Sequence, residues 1–133
     1  MALPHAQLLD IIDVSPLGDQ LTEARSTSLI KTRRVQLLHL VLGAHEDQPP
    51  HRVAEECIVQ CLEGRVELTY PGGVRPLQAG QLVVLPAGQI HGLRARGRCA
   101  VLVTLLLQDG DAGDHGGQRA LDTQPDADQE SQP

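Results

Sequence analysis

Aromatic residues are nearly missing from this 133-residue chain, which has one tyrosine, Tyr70, and no phenylalanine or tryptophan. Proteins that hold single-stranded nucleic acid stack its bases on aromatic rings, and this sequence has no such platform. The formal net charge is −6, so a basic surplus that would attract a phosphate backbone is missing as well. Nucleic acid is therefore not expected as a partner.

Long apolar runs are also missing. The longest candidate, CAVLVTLLL at residues 99–107, has the length of a strand and falls short of the roughly 20 residues that a membrane-spanning helix needs. The N-terminal stretch MALPHAQLLDIID has neither a basic region nor a small-residue cleavage site, so it does not resemble a secretory signal. We expect a cytoplasmic protein with no membrane partner.

Cysteine is scarce and odd in number, with Cys57, Cys61 and Cys99. If Cys57 and Cys61 share one strand, their Cα atoms lie roughly 13 Å apart, whereas a disulfide requires less than about 7 Å. Free thiols fit a reducing compartment, in agreement with a cytoplasmic location.

The negative charge is concentrated in a C-terminal tail, residues 108–133. This tail has seven acidic residues and one arginine, a net −6, while the first 107 residues balance at ten acidic and ten basic. Because the tail is rich in Gly, Gln and Pro and poor in large apolar side chains, burial cannot offset the entropy lost on ordering. We predict that the acidic tail is disordered.

Residues 27–107 alternate short β-branched or leucine-rich runs with turn signals at roughly ten-residue spacing. The pattern predicts an all-β fold, a closed or double-sheet antiparallel barrel, with QPP at residues 48–50 in a turn. The eight predicted strands are TSLIKT, RVQLLHLVL, ECIVQCLE, RVELTY, VRPL, QLVVLP, IHGLRA and CAVLVTLLL.

Residues 1–26 precede this barrel as an N-terminal arm. Ser15 is placed to act as an N-cap and Pro16 as the first helical residue, which predicts a short helix over residues 16–24. The chain is thus divided into an arm, a barrel over residues 27–107 and the tail.

Two stretches of the predicted barrel resemble the conserved motifs of the cupin superfamily. GQLVVLPAGQIH, residues 80–91, has the glycine, proline, glycine and histidine of the second motif at the family's spacing. HRVAEECIVQCLEG, residues 51–64, looks like the first motif. The resemblance covers about residues 34–107 and implies a small single-domain cupin, whose fold is a jelly-roll barrel.

The resemblance also implies a site. In cupins, two histidines and a glutamate from the first motif and one histidine from the second hold a divalent metal inside the barrel. His51 and His91 match two of these ligands, while Val53 stands at the second-histidine position and Cys57 at the glutamate position. A metal site here would use His51, His91 and Cys57, with iron, zinc, nickel or manganese as the cofactor.

Residue parity supports the same placement independently. Positions 51, 53, 57, 59 and 61 face one side of an extended strand and would form an apolar wall inside the barrel. We predict a ligand-binding pocket that includes His51, Cys57, Val59 and His91. In one interpretation Cys57 is a thiolate metal ligand, and in the other it is a small buried hydrophobe beside two metal-free histidines.

These observations favour a binding module, a sensor or carrier of a small molecule such as an organic acid, because two of the four cupin ligands are replaced. The alternative is a metal-dependent cupin enzyme, of oxygenase or isomerase type, using His51, His91 and a third ligand. We also expect a homodimer, since the runs LLHLVL and LVTLLL are apolar on both faces and a partner would cover one of them.

Overall fold

The computed structural model describes residues 5–108, so the predicted disordered tail lies outside the described residues except for Gln108. Within this range the chain forms one 3₁₀ helix and nine strands. The helix spans Gly18–Glu23, and the strands are β1 (Thr27–Lys31), β2 (Val35–Leu42), β3 (Asp47–Arg52), β4 (Cys57–Glu63), β5 (Arg65–Tyr70), β6 (Gly73–Gln78), β7 (Leu82–Leu85), β8 (Ile90–Ala95) and β9 (Cys99–Leu106).

The strands form two sheets, one ordered β1-β2-β9-β4-β7 and the other β3-β8-β5-β6. Neighbouring strands in both sheets pair antiparallel. One apolar core draws residues from both sheets, among them Leu38, Val59 and Val101 from the first and Leu68 and Leu93 from the second. The predicted all-β jelly roll is confirmed.

Strand β4 shows the predicted alternation. Cys57, Val59 and Cys61 point into the core with at most 1% of their surface exposed, while Ile58 and Gln60 are half-buried on the other face. β4 therefore supplies an inward apolar wall, as residue parity predicts. The single strand predicted for positions 51–61 is wrong, because His51 lies on β3 of the other sheet and Val53 lies between the two strands.

The prediction of eight strands is wrong by one, because the structure has a strand, β3, where QPP predicts a turn. Pro49 and Pro50 suggest a turn, since proline cannot donate a hydrogen bond to a sheet. β3 tolerates them because it is an edge strand of the four-stranded sheet and pairs with β8 alone. This strand contains His51.

The predicted helix over residues 16–24 is shorter than expected, and Ser15 does not cap it. The Ser15 hydroxyl donates instead to the carboxylate of Asp13. The carboxylate of Glu63, at the end of β4, accepts the backbone N–H groups of Leu17 and Gly18, both at 2.9 Å. Within residues 5–108 no helix is long and apolar enough to cross a membrane.

Candidate functional site

A small cavity, about 30 Å³ in volume, opens between the two sheets. Most of its wall is leucine and valine, and three polar side chains interrupt it. The polar residues are Gln48, His51 and His91, and the apolar ones are Leu38, Leu40, Val53, Val59, Leu93, Val103 and Leu105.

The turn between β7 and β8 positions His91 in this cavity. Gly88 has a φ of +76°, in the left-handed region that glycine adopts at little cost, and its N–H donates to the carbonyl of Val53 at 2.9 Å. The N–H of Gln89 donates to the carbonyl of Pro86 at 3.2 Å. His91 follows on β8 with 4% of its surface exposed. The second motif thus acts as predicted, by directing a histidine inward.

His51 reaches the same place from the edge strand. The register of β3 on β8 sets His51 directly opposite His91, next to an irregularity in the pairing between Gln48 and His51. The two imidazole rings are tilted by 50° with their centroids 4.7 Å apart. Two residues 40 positions apart in sequence therefore form one pair.

Both histidines are held uncharged near neutral pH. The pKa of His91 is lowered to about 4, chiefly by burial and also by the neighbouring His51, while a hydrogen bond to the Gln89 carbonyl opposes the shift. Burial also lowers the pKa of His51, against a weaker contact with the Pro49 carbonyl. Neither ring therefore brings a positive charge to the cavity at pH 7.

The hydrogen bonds of the rings also fix which nitrogen is protonated. Nδ1 of His91 lies 3.0 Å from the carbonyl oxygen of Gln89, and Nδ1 of His51 lies 3.5 Å from that of Pro49. Because a carbonyl only accepts, each Nδ1 is assigned the proton, and a neutral ring then leaves Nε2 as an acceptor. The pair offers the cavity two bare nitrogen atoms.

Comparison with known proteins agrees with this architecture. A sequence model of the cupin domain matches residues 38–105, which are 68 of the 133 residues. The chain belongs to the cupin family. No curated protein matches it in sequence.

Solved structures show the same cupin fold. A cupin superfamily protein from Desulfitobacterium hafniense has a TM-score of 0.65 at 23% identity, over 77% of this chain and 100% of its own. A conserved protein of unknown function from Streptococcus pyogenes has a TM-score of 0.64 at 19% identity, over 83% and 97%. KdgF from Halomonas sp. has a TM-score of 0.58 at 19% identity, over 65% and 80%. At these identities the likeness concerns the fold.

Cupin domains often bind a metal, and the residues of this cupin do not fit one. Val53 lines the cavity where the family's second histidine would stand. Within residues 5–108, no three His, Cys, Asp or Glu side chains are grouped so that they could hold a metal ion. His51 and His91 provide two donors, whereas protein metal sites use at least three protein ligands as a rule.

Cys57 does not take the place predicted for it. The cavity wall includes His51, Val59 and His91 from the predicted pocket but not Cys57, whose side chain is 1% exposed within the core. Burial raises the pKa of the Cys57 thiol to about 12, so the thiol is protonated at neutral pH. Parity identified its inward face correctly, but Cys57 packs in the core and does not line the cavity.

Gln48 is the polar wall residue that the sequence did not reveal. It lies on β3, where the sequence predicts a turn. Without a predicted strand, the alternation of inward and outward side chains could not be applied to Gln48. The other histidines of the barrel are not part of the wall. His39 is half-buried on the outer face of β2, and His45 is exposed in the turn before β3.

The buried His91 makes stability depend on pH. Its pKa is lowered from 6.5 to about 4 in the folded protein, so the unfolded chain binds a proton that the folded chain excludes. The resulting stability is present above pH 6.5 and is lost as the pH falls towards 4. We expect the free energy of unfolding, measured in urea, to fall by about 3 kcal/mol more in wild type than in His91→Leu over this pH interval. Parallel losses in the two proteins would contradict this assignment.

Proposed function

We propose that this cupin is a small-molecule-binding module that acts as a sensor or carrier. The observation that supports the proposal is the cavity itself, whose leucine and valine walls stand beside an uncharged histidine pair, His91 buried and His51 half-buried. Apolar concave sites with a few convergent polar groups are the usual form of small-ligand sites. The three cysteines are free and buried, which fits the cytoplasmic location that we propose for it.

The alternative function, a metal-dependent enzyme of oxygenase or isomerase type, requires a third ligand beside His51 and His91. The cavity wall offers only the amide of Gln48 in addition. A neutral amide is a weak ligand for a divalent transition metal compared with imidazole, thiolate or carboxylate. The donor set therefore favours the binding function over the enzyme.

A ligand screen tests the binding function. Small neutral and acidic compounds that enter the cavity should raise the melting temperature of wild type, by about 10 °C or more at 100 times the dissociation constant. Val53→Phe, which fills the cavity, should abolish the shift. Val74→Phe on the exposed strand β6 is the matched control and should retain it. If every active compound stabilises Val53→Phe as strongly as wild type, the cavity is not the binding site.

Metal analysis separates the two functions. We expect protein purified without a histidine tag, and then incubated with iron, zinc, nickel or manganese, to retain no stoichiometric metal. The variant Val53→His places a third imidazole on the cavity wall beside His51 and His91 and should bind more metal than wild type. Stoichiometric metal in wild type that His51→Ala and His91→Ala both remove would support the enzyme instead.

We also propose that the protein is a homodimer joined through the outer face of the five-stranded sheet. On this face Leu82 and Val84 of β7 are 52% and 55% exposed, and Leu106 of β9 is 38% exposed. Neighbouring large apolar side chains in water favour association.

Light scattering at micromolar concentration tests this arrangement. We expect the mass of a dimer for wild type and of a monomer for Leu82→Asp/Val84→Asp. The matched control Val74→Asp changes an exposed valine of the other sheet and should remain dimeric. A wild-type monomer would refute the proposal.

A further inference from the structure

We infer that the cavity selects uncharged molecules that donate a hydrogen bond from a compact apolar body, such as alcohols, phenols and amides, and that it disfavours carboxylates. This inference rests on the proposed binding function and specifies its ligand class. The feature behind it is the pair of neutral imidazoles of His51 and His91, each with Nε2 as its remaining acceptor, on a cavity wall that is mostly leucine and valine.

The first step concerns hydrogen-bond polarity. Each Nδ1 faces a carbonyl oxygen of its own strand segment, at 3.0 Å for His91 and 3.5 Å for His51. With its single proton directed to the backbone, a neutral imidazole has only an acceptor left for a ligand. A ligand must therefore supply the proton of the hydrogen bond. A hydroxyl or amide N–H does so, whereas an ether or a carboxylate does not.

The second step concerns charge. Of the described residues that line the cavity, none is lysine or arginine. Two nearby arginines, Arg94 and Arg96, are about half exposed and pair with Glu67 at the surface. A carboxylate entering the cavity would give up its hydration, and the Gln48 amide is the one wall side chain with N–H groups to replace it. Burying an ion with so little compensation is unfavourable.

The third step concerns the body of the ligand. Seven of the ten wall residues are leucine or valine, so the cavity gains most from burying an apolar skeleton. The two ring centroids are 4.7 Å apart, which lets one small ligand contact both histidines. Gln48 offers the same ligand a neutral partner for a second polar group.

A matched series of aromatic probes tests this ligand class on the full chain. Phenol presents a donor, anisole has a similar body without a donor, and benzoate carries a negative charge. Binding is measured at pH 7.5 by titration of ¹H–¹⁵N NMR spectra, following amides around the cavity such as Gly92 and Leu93. We expect phenol to bind about five- to tenfold more tightly than anisole, the value of one hydrogen bond, and benzoate to bind more weakly than phenol.

Two histidine variants test whether His91 is responsible for the preference for phenol over anisole. His91→Leu should reduce the ratio of phenol to anisole affinity towards one, whereas the matched control His39→Leu, on the outer face of β2, should leave it unchanged. The wild-type ranking tests the inference even if His91→Leu does not fold.

The outcomes separate the ligand class from the binding function. Benzoate binding more tightly than phenol, with shifts around the cavity, would overturn the ligand class and leave small-molecule binding intact. Anisole binding as tightly as phenol would overturn the requirement for a donor. If no probe shifts the cavity amides at any concentration, both the ligand class and the proposed function fail.

Discussion

The antiparallel pairing of β3 with β8 places His51 directly opposite His91, and the chemistry of the cavity depends on that register. A shift of one residue would turn His51 to the other face of its strand and separate the rings. In the observed register, each ring is close enough to oppose protonation of the other, and burial acts in the same direction. The Nδ1–H group of each ring then donates to a backbone carbonyl, that of Gln89 for His91 and that of Pro49 for His51. The result is an uncharged pair of acceptors.

The same scaffold would support different chemistry with other residues at two positions. Val53 contributes an apolar side chain to the wall where the family's second histidine would add a metal ligand. Cys57 lies in the core as a protonated thiol. The structural relatives share the barrel at 23% identity or less, which allows the contents of the cavity to differ. A fold of this kind specifies where a ligand is held and leaves its chemistry to the wall residues.

Much of the fold and part of the site follow from local sequence rules. Strand parity predicts the inward face of β4, and the proline–glycine turn predicts the placement of His91, because both depend on neighbouring residues. Parity does not tell how deep a side chain lies, so Cys57 faces inward as predicted but misses the cavity. Pro49 and Pro50 made β3 look like a turn. A strand tolerates proline at the edge of a sheet, and the sequence alone does not tell which strands lie at an edge. The contacts of Glu63 with the distant N-terminal arm depend on tertiary structure in the same way.

The protonation of the two imidazole rings tests the central claim most directly. ¹⁵N NMR distinguishes protonated from bare ring nitrogen atoms in protein labelled at histidine. At pH 7 both His51 and His91 should show one protonated nitrogen, Nδ1, and one bare nitrogen, Nε2. A doubly protonated ring at either position, or a proton on Nε2 of His91, would contradict the account.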